Sequence, residues 1–197
     1  MTSRPERPLR LFVAADPPAG AVEHLGAAVD QLQVSQSAGR STRLAARERW
    51  HITLAFLGDV DAGRVGDASA ALERAVTAAR APIVVRIAGG GRFGRGRFGV
   101  LWAGLDGDVA ALATLARAVR RELRAARLPV DDKPFRPHLT IARPGDRLSA
   151  EQVAQDVAAL RPYIGPQWTV AAVHLVASEL GPSPRHHRLG SVPLSPG

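Results

Sequence analysis

The chain contains 197 residues, 46% of them apolar, which suits a folded protein with a sizeable core. It has no cysteine, which excludes disulfides and thiolate metal sites. The formal net charge is +8, and Lys133 is the only lysine among 26 basic residues. An arginine-dominated surplus suits an anionic partner such as a nucleic acid, although the same arginine usage also follows from genome composition alone.

The first half of the chain predicts five elements in the order strand, helix, strand, helix, strand. They cover residues 9–15, residues 22–32, a strand that begins at His51, residues 65–76 and residues 83–88. The opening apolar run is too short for a signal peptide core or a membrane span. We therefore expect a soluble cytoplasmic protein with no membrane partner.

The second half predicts the same order of elements again. They cover residues 99–105, 109–123, 135–142, 149–160 and 168–177. Ser149 and Gln152 have the spacing of a capping box at the start of the last helix. Residues 162–166, bounded by two prolines, are expected to end it.

This repetition predicts an α+β protein with two pseudo-symmetric lobes. Each lobe would hold an antiparallel or mixed sheet with helices outside it, and a cleft would separate the lobes. We expect one domain over residues 1–197, with lobe-like halves at about 9–90 and 97–180 and a tail at 181–197.

A short motif occurs once in each half. His51-Ile52-Thr53-Leu54-Ala55 and His138-Leu139-Thr140-Ile141-Ala142 lie 87 positions apart. In a strand, side chains two apart share a face, so each histidine lies beside its threonine while aliphatic residues fill the other face. Random placement predicts roughly 0.2 such His-x-Thr pairs, so the duplication indicates function.

Two facing histidines favour acid-base chemistry. The unperturbed imidazole pKa lies near neutrality, so one ring can be neutral and act as a base while the other is charged and acts as an acid. The motifs carry no further cysteine or carboxylate at metal-ligand spacing. We therefore expect no metal and no other cofactor.

Other features carry less information. Residues 89–99 are rich in glycine, arginine and phenylalanine, and we interpret them as a flexible loop that joins the lobes, with single-stranded RNA binding as the alternative. A strand follows this segment, which excludes a dinucleotide fingerprint. His186 and His187 are expected to be surface histidines, and His174 to be structural or exposed at a sheet edge.

The paired motifs resemble those of the 2H phosphoesterase superfamily. Within it, the segments 9–14, 50–58 and 136–143, and Ser178-Glu179-Leu180 before a Gly/Pro-rich stretch, are similar to the RNA 2′,3′-cyclic phosphodiesterase family, also called 2′-5′ RNA ligase. The resemblance implies hydrolysis of RNA 2′,3′-cyclic phosphate ends to 2′-phosphates, with ligation as the reverse reaction. It also implies an RNA partner with such an end, tRNA fragments included, and we expect a monomer.

The resemblance further implies roles for individual residues. His51 would donate a proton to the 3′-oxygen and His138 would activate water, although the near-symmetry of the motifs leaves this assignment open. Thr53 and Thr140 would hydrogen-bond the phosphoryl oxygens. The candidates for substrate binding are Arg143, Arg136 and Phe12, of which Phe12 is also a core candidate.

Two alternatives stay open. A related 2H phosphoesterase could act on 2′-5′ oligonucleotides or on a small cyclic nucleotide. A non-catalytic RNA-binding protein would bind RNA with strong salt dependence and without turnover, but it would need neither histidine nor threonine.

Overall fold

A computed structural model describes residues 8–37, 43–77, 82–94, 98–145, 148–179, 181 and 185–194. Within them the chain forms two antiparallel sheets. The strands are β1 (Leu9–Ala15), β2 (Arg43–Leu44), β3 (Ile52–Val60), β4 (Val84–Phe93), β5 (Val100–Gly107), β6 (His138–Arg143), β7 (Ile164–Thr169), β8 (Ala172–Glu179) and β9 (Arg185–Pro193). The first sheet has the order β3-β1-β8-β9, and the second has the order β2-β6-β5-β4-β7. The predicted bilobal α+β class is confirmed.

Among the residues that the structure describes, five α-helices accompany the sheets. They are α1 (Ala19–Asp30), α2 (Gln33–Gln36), α3 (Val65–Thr77), α4 (Val109–Ala125) and α5 (Ala150–Leu160). The apolar side chains that recur at helical spacing along α4 are buried, among them Leu112, Leu115, Val119 and Leu123, and α4 packs on α3 and β3. Ser149 and Gln152 form the predicted capping box of α5. No helix in the described part of the chain is long and apolar enough to cross a membrane.

The two motif strands alternate as predicted. Ile52 and Leu54 of β3 are fully buried, and so are Leu139 and Ile141 of β6, whereas the intervening threonines are only partly buried. The aliphatic residues join one continuous apolar core that includes strands of both sheets. This burial fixes the strand register, because a slip by one residue would turn the motif face into the core.

The sheets do not follow the two sequence halves. The first sheet combines β1 and β3 with β8 and β9, and the second combines β4 with β5, β6 and β7. Residues 168–177, expected as one strand, are divided between β7 and β8, which lie in different sheets. Each lobe therefore contains strands from both halves of the sequence.

The glycine-rich stretch does not join the lobes. Residues 89–93 belong to β4, which pairs with β5 in a single sheet. A Cβ at Gly90 would lie 2.6 Å from Leu160 Cβ, and one at Gly91 would overlap the Trp102 indole. The missing side chains therefore let α5 and Trp102 approach the strand closely. Residues 95–97 of this stretch lie outside the described residues.

The expected tail also belongs to the fold. Residues 185–193 form β9, which pairs with β8 along its length, from Glu179 opposite Arg185 to Ala172 opposite Pro193. The sequence of β9 is too polar to show the apolar alternation by which a strand is recognised.

Candidate active site

The two motif histidines make the same backbone hydrogen bond. His51 Nδ1 lies 2.7 Å from the carbonyl oxygen of Arg49, and His138 Nδ1 lies 2.6 Å from the carbonyl oxygen of Arg136. A carbonyl oxygen only accepts, so Nδ1 of each ring must carry a proton. Each Nε2 is then left to accept a proton when the ring is neutral, or to donate one when it is charged.

His51 lies between two rings on the first sheet. Phe12 of β1 stacks on it with centroids 4.8 Å apart, and His186 of β9 meets it edge-on at 5.3 Å. Burial lowers the pKa of His51, opposed by its hydrogen bond to Arg49 and by the charge of Asp16. The charge of His138 lowers the pKa of His51 further, so the two imidazoles interact electrostatically across the site.

His138 lies beside a different pair of rings on the second sheet. Phe93 of β4 meets it edge-on at 5.0 Å and Trp102 of β5 at 6.5 Å, and Phe93 also stacks on Trp102 at 5.1 Å. The guanidinium of Arg136 lies 5.8 Å from the Phe93 ring centre, within cation–π range. Both histidines are therefore held by a backbone carbonyl and two rings.

The cleft between the sheets has a volume of about 680 Å³. That lies within the range of small-molecule sites, about 300–1,000 Å³. Its lining is rich in basic and aromatic side chains, with one carboxylate: Thr53, Phe56, Arg92, Phe93, Gly94, Arg120, Asp131, Lys133, Pro134, Phe135, Arg136 and His138. Thr53 comes from the first sheet and His138 from the second, so the two motifs meet here.

A smaller cavity of about 110 Å³ lies on the His51 side. Its walls include His51, Phe12, His186 and four charged side chains near them, Asp16, Glu48, Arg49 and Arg188. Arg188 forms an ion pair with Asp16 at 2.6 Å, which ties β9 to the end of β1.

The threonines lie where the motif predicts. Thr53 pairs with Ala14 of β1, and Thr140 pairs with Trp102 of β5. Both are partly buried on the faces that carry the histidines. No side-chain hydrogen bond of either hydroxyl is found within the described ranges, so both are available to donate to a ligand.

The three expected binding residues have different positions. Arg136 is exposed and lines the large cleft. Phe12 is 4% exposed, but it lies apart from the main core, in a small cluster with Ala14 and Val176 on the His51 side. Arg143 is exposed at the end of β6 opposite Arg43, and it does not belong to the described lining of either cavity.

Sequence reasoning missed two residues of the site. His186, expected on the surface, contacts His51 and Phe12, because β9 returns along the first sheet. Phe93, expected in a loop, contacts His138. One signal was available in the sequence: the Gly/Pro-rich residues 181–184 follow the strand predicted at 168–177. Such residues often separate the two strands of a hairpin, and a second strand here would bring His186 back to the site. His187 is half-exposed as expected, and His174 is buried on β8.

The arrangement can move protons on two sides of one ligand. Two Nε2 atoms can exchange protons, two hydroxyls can donate hydrogen bonds, and the basic cleft attracts an anion. Within the part of the chain that the structure describes, no group of three or more histidine or carboxylate side chains is placed to hold a metal.

Two sheets that each present a His-x-Thr strand to a shared cleft define a bilobal protein of the two-histidine class. The chain belongs to the 2′-5′ RNA ligase superfamily, whose family model matches residues 17–182. This confirms the family resemblance of the motifs.

Individual relatives agree with this membership. The chain is 35% identical to a Geobacillus stearothermophilus protein named RNA 2′,3′-cyclic phosphodiesterase, over 75% of this chain and 46% of that protein. It thus spans about half the length of this relative. A Thermus thermophilus protein of the same name is 31% identical over 88% of this chain and 84% of its own length. The structure of E. coli LigT complexed with ATP shares the fold, with a TM-score of 0.72, 24% identity and coverage of 95% and 99% of the two chains.

Proposed function

We propose that this protein is an enzyme that hydrolyses RNA 2′,3′-cyclic phosphate ends to 2′-phosphomonoesters. The observation that carries the proposal is the pair of motif histidines, each with Nδ1 bonded to a backbone carbonyl so that Nε2 is left for proton transfer. His138 and Thr53 line the basic cleft, and His51 is near enough for the charge of His138 to lower its pKa. Two relatives that carry the name of this activity support it. Ligation of a cyclic phosphate to an RNA 5′-hydroxyl uses the same groups, because the hydroxyl replaces the water.

The proposed reaction needs only protons and hydrogen bonds. Nε2 of His138 takes a proton from water as the water oxygen bonds to phosphorus. The bond between phosphorus and the 3′-oxygen breaks, and Nε2 of His51 gives its proton to that oxygen. The hydroxyls of Thr53 and Thr140 donate to the non-bridging oxygens, where charge accumulates. The products are a 2′-phosphate and a 3′-hydroxyl.

The state of His51 places a condition on this assignment. Burial lowers the pKa of His51 in the free protein, which favours a neutral ring. An acid must be protonated, so the bound phosphate anion has to raise the pKa of His51 again. Such a rise is the expected effect of an opposite charge within a few ångströms.

The large cleft is proposed to hold the terminal nucleotide. Arg92, Lys133 and Arg136 provide positive charge for phosphates, and Phe56 and Phe93 provide apolar and aromatic surface for a base. This positive charge would increase the binding affinity of a polymer with several phosphates more than that of a single cyclic nucleotide.

The decisive experiment is an assay in EDTA with a short RNA that ends in a 2′,3′-cyclic phosphate. The wild type is compared with His51→Ala, His138→Ala and the control His187→Ala. We expect a 2′-phosphate from the wild type and the control, and loss of turnover in the two motif variants. The pH profile of kcat/KM should be bell-shaped, and a plateau across about pH 5 to 9 would contradict the mechanism.

A second substrate separates the acid from the base. In a cyclic phosphate whose 3′-bridging oxygen is replaced by sulfur, the leaving thiolate needs no proton. His51→Ala should recover much of its activity on this substrate if His51 is the acid, whereas His138→Ala should not. The reverse pattern would exchange the two roles.

Other outcomes identify the alternatives. Turnover of 2′-5′ oligonucleotides or small cyclic nucleotides, but not of the RNA end, would indicate the related phosphoesterase. Tight RNA binding with steep salt dependence and no turnover would indicate a binding protein.

A further inference from the structure

We propose that His186, which lies beyond the segment matched by the family model, is a positioning residue for His51. Its imidazole holds the His51 ring in place and shields it from water. The proposal rests on the proposed function only where it concerns turnover, because the contact itself exists in the free protein.

The contact geometry carries the proposal. The edge of the His186 ring meets His51 at 5.3 Å between centroids with an interplanar angle of 73°, and it meets Phe12 at 5.0 Å and 68°. Phe12 covers a face of the His51 ring at 4.8 Å. The three rings thus form a closed cluster, and the imidazole of His186 completes the shield.

The pairing of β9 holds His186 in contact with His51. His186 pairs with Ser178 of β8, and Arg188, two residues further along the same face, forms the ion pair with Asp16. His187 points to the opposite face, where it lies 3.3 Å from Glu179 and is half-exposed. The two adjacent histidines therefore differ in environment, and His187 is a matched control for His186.

The charges around the cluster act on both rings. The titratable and charged groups around them are Asp16 after β1, Glu48 and Arg49 before β3, His174 on β8, Arg188 on β9, and His138 across the site. The charge of His187 acts on His186 from the opposite face of β9. Burial, with the charges of His51 and Arg49, lowers the pKa of His186 to about 4. His186 is thus neutral near pH 7 and does not repel a proton that arrives at His51.

Loss of the His186 ring should have a defined effect on His51. Water would reach His51 and relieve the desolvation that lowers its pKa, so the pKa should rise toward the ordinary value of 6.5. The ring would also gain freedom to turn away from the cleft. A phenylalanine at position 186 would restore the shield without a titratable group.

The first test needs no substrate. The titration of the His51 Cε1 proton is followed by NMR in the free wild type, His186→Ala, His186→Phe and His187→Ala. We expect a higher midpoint in His186→Ala and midpoints close to the wild type in the other two variants. An unchanged midpoint in His186→Ala would overturn the proposal. If His186→Ala does not fold, His186→Gln replaces it, with the same expectation.

The second test uses the RNA end as substrate. We expect kcat to fall roughly tenfold to a hundredfold in His186→Ala with little change in KM, because a displaced catalytic group stabilises the transition state less. The pH limb that belongs to His51 should move as its NMR midpoint moves, and His186→Phe should restore both. Equal activity of His186→Ala and the wild type would overturn the positioning role. Failure of the wild type to turn over would instead contradict the proposed function and leave the NMR result standing.

Discussion

The two halves of the site carry the same motif in different surroundings. On the first sheet, His51 is enclosed by Phe12 and by a second imidazole from β9, next to a cavity of about 110 Å³. On the second sheet, His138 touches Phe93 and Trp102 and opens onto the cleft of about 680 Å³. The bond from Nδ1 to the carbonyl two residues earlier is common to both.

The difference shows how a repeated motif can perform two tasks. The motif fixes the tautomer and direction of each ring, and the neighbouring strands determine its contact with water. Rings from β1 and β9 cover His51, whose pKa is lowered by burial, whereas His138 lies at the wall of an open cleft. The difference between the two histidines thus comes from outside the motif.

The largest expected effect tests whether both halves are needed. His51→Ala and His138→Ala should each lower kcat about 10²- to 10⁴-fold on the cyclic phosphate, since each removes one proton transfer. The double variant should be little slower than the slower single variant, because the groups act as a unit. Steady-state kinetics measures all three, and a single variant within tenfold of the wild type would contradict a two-histidine site.

The next effect compares the hydroxyls. Thr53→Val and Thr140→Val should each lower kcat about 10²-fold, which is typical for the loss of one donor to a developing negative charge. Serine at either position keeps the hydroxyl and is the matched control. A valine variant as active as its serine control would show that the hydroxyl on that sheet does not contact the phosphate.

A smaller effect separates the two phenylalanines. Phe93→Leu should mainly raise KM, because Phe93 lines the large cleft, and Phe12→Leu should mainly lower kcat and shift the pH profile, because Phe12 covers His51. Aromatic contacts of this kind are worth about 0.5–1.5 kcal/mol, so changes of roughly 3- to 10-fold are expected. The same kinetic change in both variants would contradict the division of roles.

The smallest effect concerns stability. Burial lowers the pKa of His186 to about 4, whereas the unfolded chain titrates near 6.5. Between these values the unfolded state binds more protons, so stability is lost as the pH falls from about 6.5 to about 4 and no further below it. His186→Phe should lose less stability over this window in denaturant titrations. Equal losses in variant and wild type would show that His186 does not carry this acid sensitivity.

The sequence predicted the parts of the site that depend on local pattern. Alternation about His51 and His138 was sufficient to place Thr53 and Thr140 on the histidine faces, because aliphatic burial leaves no other register. His186 could not be placed in this way, since its contact with His51 depends on which sheet β9 joins. Phe93 was missed because glycines were interpreted as a loop, whereas Gly91 makes room for the indole of Trp102.

The exchange of strands between the sheets has a consequence for how the protein acquires its structure. β1 lies between β3 and β8. Val13 of β1 therefore cannot pair with Leu175 of β8 until that residue has been synthesised, 162 residues later. Strand pairings between residues so far apart in the sequence form slowly, because the entropy cost of closing a long loop comes before the paired strands stabilise the fold. A nascent chain that has emerged only as far as β6 contains both motifs but lacks β8 and β9, and therefore lacks the His186 ring that covers His51. We therefore expect the His51 side of the site to form only after β8 and β9 have been synthesised.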